Sequence, residues 1–334
     1  MRFILNQARI AIILLTLVVA FDASAAVTGT IKLPNLPEPK GYDSRNAVMA
    51  AIFKKEIELI QAPSTLPSNV KEIKEIEYGK VGNRALHLDL YLPDTLSPDK
   101  PSLLFIHGGA WSGGSRDVYK YYTVHFAKLG YIAATASYRL SGEAPYPAAV
   151  HDTKCAVRWM RANATKYGMN PKRIVAIGGS AGGHLSLMLG YSPDAAHLEG
   201  TGGHQEHSSS VQAVVNFYGP VDLTTKMGQE SGSVRKFLNE ESYKDSPSLY
   251  EDASPLFHLK KGAPPTLTFH GTLDETVKIA QGDMLEAKLK KLGISYAYAR
   301  LEGWPHSLDA ARPANDYCTQ LIEAFLKDTF PSKP

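Results

Sequence analysis

The sequence has no strong excess of charge of either sign. Its 36 lysines and arginines against 33 aspartates and glutamates leave a formal net charge of +3, and no basic stripe concentrates it. Because nucleic-acid binding requires such a stripe, we expect no nucleic-acid partner. Internal repeats and low-complexity tracts are absent as well. With 44% hydrophobic and 21% charged residues, the composition is that of an ordinary globular protein.

Long hydrophobic runs are also missing, with one exception near the N-terminus. Ile10–Phe21 is an unbroken apolar run of about 12 residues, short of the roughly 20 that a membrane-spanning helix requires. Two arginines precede this run, and the small residues of "DASAA" follow it. That three-part plan predicts a secretory signal peptide over 1–25, cleaved after Ala25. We therefore expect a periplasmic or secreted mature protein with no stable membrane insertion.

Cysteine is scarce, and the chain has only Cys155 and Cys318. Each lies on the apolar face of a helical pattern, among residues that recur at helical spacing. Free cysteines in such positions behave as small hydrophobic side chains. We therefore predict that both thiols are buried.

Beyond the N-terminal segment, short apolar strand patterns alternate with helical patterns. An amphipathic helix at 43–61 and two antiparallel strands come first. Because continuously apolar strands are buried on both faces, the later alternation predicts an α/β fold with a mostly parallel twisted sheet and helices on both sides. Two segments that break the alternation are interpreted as insertions over one end of the sheet, forming a small cap. Strands are predicted at 102–106, 131–138, 173–178, 211–219, 266–271 and 294–303, and insertions at 192–210 and 220–265.

These patterns divide the mature chain into two parts. Residues 26–70 form an N-terminal extension, a candidate contributor to the cap. Residues 71–330 form one large domain, since no linker-like stretch interrupts them.

A serine set among glycines is the most informative feature of the chain. The segment Gly178–Gly182 has the pattern G-x-S-x-G and lies between a strand pattern and a helical pattern. In a nucleophile elbow, the serine occupies a strained turn, and the glycines two residues away relieve crowding between strand and helix. The segment therefore predicts Ser180 as a nucleophile. A plain glycine-rich turn or a phosphate-binding loop is the alternative, although no lysine follows at the P-loop position.

The stretch "HGGAW" follows the predicted strand 102–106 directly. Lipases and esterases carry a similar loop there, and its backbone N–H groups receive the oxyanion of the tetrahedral intermediate. The predicted donors are the N–H groups of Gly109, Ala110 and Ala181. A simple turn is the alternative interpretation.

A nucleophilic serine needs a base, and the base needs an orienting carboxylate. His306 follows the last predicted strand, and Asp274 follows the one before it. Both are therefore expected at the carboxyl edge of the sheet. Asp222, after an earlier strand, is the alternative acid.

The remaining histidines are interpreted as structural. We expect His184 to pack or cap locally, His107 to brace the oxyanion loop, and His270 to sit in a strand end. A second group could suggest a metal site, but its glycine- and serine-rich surroundings favour a solvated loop, so we predict no metal. That group consists of His197, His204 and His207.

Together, "HGGAW", the stretch from "ASYRLSGEAPYP" to "NPKRI", "GGSAGGH", "HGTLDETV" and "EGWPHS" resemble a known group over 75–328. The chain is similar to α/β-hydrolase esterases related to bifunctional feruloyl/acetyl-xylan esterases and to the hormone-sensitive-lipase-like group. The resemblance implies a cofactor-free serine esterase, often secreted, with the triad Ser180, Asp274 and His306 in that order. In the usual layout, the helices of Cys155 and Cys318 lie on opposite faces of the sheet. No disulfide between them is therefore expected.

The resemblance implies a hydrolase for esters of plant cell-wall polysaccharides. Trp111 and Trp304 adjoin the predicted catalytic loops, so we expect them to line the substrate pocket, with core packing as the alternative. Deacetylation of acetylxylan or pectin fragments is the leading hypothesis, and feruloyl esterase or general short-chain carboxylesterase activity is the alternative. A prolyl-oligopeptidase-like peptidase fits less well, because Ala181 replaces the usual aromatic residue and no room exists for a large N-terminal β-domain. A binding protein without catalysis would typically lack a triad member, and all three are present.

Overall fold

The computed structural model describes residues 27–193 and 195–331, so the predicted signal peptide over 1–25 lies outside the described residues. Within them, nine strands form a single sheet. The strands are β1 (Val27–Gly29), β2 (Val70–Val81), β3 (Arg84–Pro93), β4 (Ser102–Ile106), β5 (Ala133–Ala136), β6 (Ile174–Gly179), β7 (Ala213–Phe217), β8 (Thr266–Gly271) and β9 (Tyr296–Leu301).

The predicted fold is confirmed by the sheet topology. The order across the sheet is β1-β9-β8-β7-β6-β4-β5-β3-β2. Strands β5, β4, β6, β7, β8 and β9 pair in parallel, whereas β1, β2 and β3 pair antiparallel at the two edges. The central strands read as continuous apolar runs because both of their faces are buried. This is the mostly parallel α/β sheet that the alternating pattern predicts.

Helices cover both faces of the sheet. The helices are α1 (Arg45–Phe53), α2 (Lys120–Lys128), α3 (Ala148–Ala162), α4 (Ala164–Tyr167), α5 (Ala181–Tyr191), α6 (Lys226–Glu230), α7 (Gly232–Phe237), α8 (Pro247–Asp252), α9 (Pro255–His258), α10 (Ala280–Leu292) and α11 (Arg312–Thr329). Alternate residues along β4 join different cores: Leu104 packs with α3 and α5, while Phe105 packs with α2 and α11. Of the described helices, none is long and apolar enough to cross a bilayer.

The two cysteines lie in these separate cores. Cys155 belongs to the core under α3, and Cys318 belongs to the core under α11. Both are fully buried and unbonded to each other, which confirms the prediction of free thiols. The sheet between them accounts for this, because a disulfide requires Cα atoms within about 7 Å.

The predicted helix over 43–61 is too long. Helix α1 begins after Ser44, whose hydroxyl accepts the N–H of Ala47, and it ends at Phe53. The chain then takes a left-handed turn at Lys55 (φ 60°), and Leu59 forms an isolated antiparallel β-bridge with Ala311. There the Ile60 N–H donates to Ala310 O at 2.9 Å. This long-range pairing outweighs the local helical pattern, and it ties the N-terminal extension to the loop after β9.

The two insertions occupy different places. The 220–265 stretch, interpreted from sequence as irregular, contains the short helices α6 to α9. The 192–210 stretch packs along α3 instead, because Glu199 receives hydrogen bonds from Lys154 Nζ and Arg158 Nη1, each at 2.7 Å. Both cations are buried, so this carboxylate supplies the partner that their burial requires.

Candidate active site

The carboxyl edge of the parallel strands gathers the predicted functional segments. The "HGGAW" loop follows β4, the serine elbow follows β6, and the acidic loop follows β8. The loop after β9 carries His306. Since parallel strands end at the same edge, segments far apart in sequence meet there.

The elbow places Ser180 in a strained conformation. Its φ of 55° and ψ of −122° lie outside the common regions for a residue with a side chain. The neighbouring glycines are required by space. A Cβ atom on Gly178 would lie 2.3 Å from Gly182 O, and one on Gly182 would lie 1.9 Å from Ile106 O. The G-x-S-x-G pattern is therefore a consequence of strand and helix meeting at contact distance.

The structure brings Ser180, His306 and Asp274 into one hydrogen-bonded chain. His306 Nδ1–H donates to Asp274 Oδ2 at 2.7 Å, and His306 Nε2 lies 3.0 Å from Ser180 Oγ. With its proton on Nδ1, the imidazole presents the Nε2 lone pair to the serine hydroxyl. The arrangement can therefore remove a proton from Ser180.

The Asp274 carboxylate is buried and held from several sides. Its Oδ1 accepts the N–H groups of Thr276 and Val277 at 2.9 and 2.8 Å. Burial alone would raise its pKa, but hydrogen bonding and charge interactions with His270, His306 and Val277 outweigh burial and lower the pKa to about 2. Asp274 is therefore ionised at any pH at which an imidazole is neutral, and it favours the proton on His306 Nδ1.

The "HGGAW" loop lies directly against the elbow. A Cβ atom on Gly108 would be 2.8 Å from Gly179 O, so glycine permits this close approach. No acceptor within residues 27–193 and 195–331 takes the N–H of Gly109 or Ala110. The N–H of Ala181 is the first of α5 and has no partner inside that helix. All three N–H groups predicted from sequence are thus available to an oxyanion.

The histidine of this loop acts as a brace. His107 Nδ1 lies 2.8 Å from Gly108 O, and its ring stacks on Tyr138 with centroids 4.3 Å apart. Tyr138 also donates its hydroxyl to His107 O at 3.0 Å. Burial lowers the pKa of His107, so its imidazole remains neutral.

Two cavities of different size meet at Ser180. The larger, of about 540 Å³, is lined on one side by the elbow and the oxyanion loop and on the other by the loop 306–310. The smaller, of about 70 Å³, is lined by Trp111 and by Met227 and Val234 of the 220–265 insertion. Ser180 and Ala110 line both cavities, whereas His306 lines only the larger one.

The two tryptophans differ in position. Trp111 lies in the wall of the small cavity, where it stacks on Phe237 (centroids 4.4 Å apart) and donates its Nε1–H to His184 Nδ1. Trp304 packs edge-on against Tyr42 in the N-terminal extension and lines neither cavity. Trp304 is therefore part of the core, which was the alternative interpretation of this residue.

The alternative candidates lie elsewhere. Asp222 Oδ1 accepts the N–H and hydroxyl of Thr224, two residues away, in a local turn. His184 is buried and bonds Ala253 O, with its pKa lowered by burial to about 4. His197 pairs with Asp252 at 2.9 Å. In the part of the chain that the structure describes, no cluster of three or more histidine, cysteine or acidic residues could hold a metal.

Sequence reasoning did not single out several residues that shape the cavities. Asp309, Tyr119 and Tyr218 line the larger one, and Met227 and Val234 line the smaller one. Two of these follow recognisable landmarks: Tyr218 comes directly after a buried strand, and Asp309 comes three residues after the predicted base. Their positions relative to Ser180 depend on contacts between distant segments, which no local pattern records.

Comparison with known proteins identifies a family. The BD-FAE family model matches residues 88–289, more than half of the chain. The probable carboxylic ester hydrolase LipM of Mycobacterium tuberculosis is 32% identical over 265 residues. That match covers 77% of this chain and 61% of LipM, so the chain spans about three fifths of this curated relative.

Solved structures are similar as well. The thermophilic esterase Est2 of Thermogutta terrifontis, described with butyrate bound, has a TM-score of 0.66 and 28% identity, covering 80% of this chain and 97% of Est2. A truncated carbohydrate esterase from gut microbiota has a TM-score of 0.68, covering 78% of this chain and 98% of its own. At 24% identity, this second likeness supports the fold alone.

Proposed function

The chain belongs to the BD-FAE family, and on that premise we propose that it hydrolyses carboxylic esters through Ser180, His306 and Asp274. One observation carries the proposal. It is the continuous hydrogen-bonded chain from Ser180 Oγ through His306 to the buried Asp274. The available N–H groups of the oxyanion loop lie beside it. LipM is named a probable carboxylic ester hydrolase and Est2 an esterase, which supports the same reaction class.

The mechanism follows from the geometry. His306 Nε2 takes the Ser180 proton as Oγ attacks the ester carbonyl, and the N–H groups of Gly109, Ala110 and Ala181 stabilise the oxyanion. His306 then gives the proton to the leaving alcohol, and an acyl-serine remains. A water molecule activated by His306 hydrolyses the acyl-serine in the second half of the reaction.

The two cavities assign the two halves of the substrate. The leaving alcohol must sit beside His306, which protonates it, and His306 lines only the larger cavity. The acyl group therefore occupies the smaller cavity of about 70 Å³, which Met227 and Val234 line. A site of this size accepts acetyl and similar short chains and excludes a feruloyl group. Est2, which was solved with butyrate, is consistent with short acyl chains in this fold.

The larger cavity suits a bulky alcohol, and we propose a carbohydrate. Its 540 Å³ exceed what a small alkyl alcohol fills, and its wall mixes aromatic and polar groups. The natural reaction would then be deacetylation of acetylxylan, pectin or their fragments. Acetate release from these polymers, measured beside methyl ferulate hydrolysis, tests this assignment; methyl ferulate as the better substrate would reverse it.

The size of the small cavity limits the length of the acyl chain. On p-nitrophenyl esters, kcat/KM should be highest for acetate or butyrate and fall by at least about tenfold beyond about eight carbons, because a small acyl site rejects added methylenes. Met227→Ala should extend the accepted length by about two carbons, since it removes side-chain volume from the lining of the small cavity.

Met49→Ala is the matched control, because Met49 lies on α1 and is 46% exposed. It should leave the length profile unchanged. Palmitate preferred over acetate would contradict the acyl assignment.

Export is proposed on the sequence of residues 1–25. After expression of the full chain in a bacterium, N-terminal sequencing should read Ala26 first, and the protein should appear in the periplasm or medium. Ala25→Leu should block processing at this bond. A cytoplasmic protein that retains Met1 would refute export without affecting the esterase assignment.

A further inference from the structure

A buried carboxyl group lines the larger cavity, on the alcohol side of Ser180. Asp309 lies three residues after His306 and is 7% exposed. Tyr218 donates its hydroxyl to Asp309 Oδ1, and Tyr122 donates to Oδ2 at the long distance of 3.4 Å. None of these groups belongs to the hydrogen-bonded chain that activates Ser180.

The hydrogen bonding of this carboxyl group is incomplete. A carboxylate offers about four acceptor positions, and a buried polar group is costly unless those positions are used. Asn315 Nδ2 bonds the Tyr122 hydroxyl and the backbone oxygen of Asp309, and it supplies nothing to the carboxyl group. Among the described side chains, only the Tyr218 hydroxyl bonds the carboxyl group at close range, and the backbone N–H of Asp309 itself adds a second contact. Acceptor positions therefore remain for a group in the cavity that Asp309 lines.

The side chains around Asp309 lie next to the reacting atoms. A Cβ atom on Gly179, the residue before Ser180, would lie 2.6 Å from the Tyr119 hydroxyl and 3.1 Å from that of Tyr218. The Tyr218 ring also packs against the His306 ring, with centroids 4.6 Å apart. A group bound at Asp309 would therefore belong to the same alcohol moiety that His306 protonates.

We propose that Asp309, oriented by Tyr218, binds a free hydroxyl group of the substrate's alcohol moiety and so selects polyhydroxylated esters. This inference rests on the proposed esterase function and names the residue that recognises the alcohol moiety. A simple alkyl or aryl alcohol has no group to place there and leaves the carboxyl group incompletely bonded. A site built to hydrogen-bond a substrate hydroxyl discriminates strongly against analogues that lack it.

The local charges favour a neutral hydroxyl over a cationic group. Burial raises the pKa of Asp309 despite the hydrogen bond from Tyr218, so the site does not hold a strongly stabilised negative charge. Burial also raises the pKa of Tyr218, so its hydroxyl keeps the proton that it donates. A sugar hydroxyl can donate to Asp309 Oδ2, the oxygen that Tyr218 does not occupy, and an amide nitrogen in that place could not accept it. A cationic alcohol would need a full carboxylate charge.

The experiment compares three acetate esters of different alcohols on one enzyme. A mono-acetylated xyloside carries free hydroxyls, ethyl acetate carries none, and acetylcholine carries a cation. Asp309→Asn should lower the ratio of kcat/KM for the xyloside to that for ethyl acetate by about 10- to 100-fold, the size expected for one lost hydrogen bond to a charged or polar buried group. Tyr218→Phe should lower the same ratio by a smaller factor.

The matched control is Asp94→Asn, an exposed aspartate at the end of β3, which should leave the ratio unchanged. An Asp309→Asn enzyme that loses both esters equally would show a structural role and overturn the inference. A selective loss of acetylcholine turnover would overturn it in favour of cation binding.

Binding without catalysis separates this inference from the proposed function. In a Ser180→Ala background, calorimetric titration with the acetylated xyloside should show about tenfold weaker binding when Asp309→Asn is added. Equal affinity with and without the second substitution would refute the hydroxyl site. A wild-type enzyme that cleaves none of the three esters would refute the esterase proposal, while the titration would still decide the role of Asp309.

Discussion

Ser180→Ala is expected to lower kcat on p-nitrophenyl acetate by about 10⁵- to 10⁶-fold, the loss typical of removing a serine nucleophile. His306→Ala should cost a similar factor, since serine and base act as one unit. Asp274→Asn should cost about 10⁴-fold, because an amide no longer favours the proton on His306 Nδ1. The remaining turnover would come from the oxyanion N–H groups and substrate binding. Stopped assays at high enzyme concentration, with circular dichroism to verify folding, measure these losses.

Asp222→Asn is the matched control for the acid. Its carboxylate is committed to Thr224 in a local turn, so its loss should change kcat by less than about twofold, as for an ordinary partly exposed position. If Asp222→Asn abolished activity and Asp274→Asn did not, Asp274 would not be the carboxylate that orients His306. Full activity of Ser180→Ala would remove the nucleophile from the mechanism altogether.

The sequence predicted the fold well because its strongest signals are local and periodic. Mostly apolar runs such as 102–106 and 173–178 predict strands buried on both faces, and each corresponds to one in the structure. The strand-turn-helix order around Ser180 restricted that turn to one geometry. The burial of both cysteines followed from helical spacing, whereas their separation by the sheet was implied by the resemblance to α/β-hydrolase esterases.

The misjudged features depend on contacts between distant segments. The helix predicted to reach residue 61 ends at Phe53, because Ile60 pairs with Ala310, far along the chain. Trp304 adjoins His306 in sequence, yet it packs against Tyr42 of the extension. Adjacent residues in a loop can face opposite sides, so proximity in sequence to a catalytic residue does not place a side chain in the pocket.

Local sequence patterns likewise did not predict that the site is divided into two cavities. Met227 and Val234 lie in a polar stretch, and their apolar side chains gain a role only where they line the small cavity together with Trp111. Asp309 resembles any acidic residue in a loop until Tyr218 and Tyr122 are found beside it. The catalytic segments could be located from sequence because their chemistry demands particular residues, whereas substrate selection depends on shape assembled from several loops.

The crowding around the elbow makes Gly182→Ala the most damaging single-methyl substitution that we expect. The added Cβ atom would lie 1.9 Å from Ile106 O and 2.7 Å from the Ile106 carbonyl carbon, both rigid backbone atoms of β4. Either α5 or the end of β4 must move, and both moves disturb the oxyanion loop. Overpacking of this kind costs about 3 kcal/mol or more of unfolding free energy, which exceeds the roughly 1 kcal/mol that alanine gains over glycine in a helix.

The net cost of about 2 kcal/mol corresponds to a fall in melting temperature of roughly 4–8 °C. We also expect a loss of about 100-fold or more in kcat, since small displacements of catalytic groups are costly. Gly142→Ala is the control, because Gly142 is exposed and a Cβ atom there would meet nothing within 4 Å. It should change the melting temperature by less than about 2 °C. If Gly182→Ala matched Gly142→Ala in both measurements, close approach of β4 and α5 would not be the reason for glycine at this position. Loss of activity with an unchanged melting temperature would instead mean that the strain is absorbed by the elbow alone, at the expense of the Ser180 geometry.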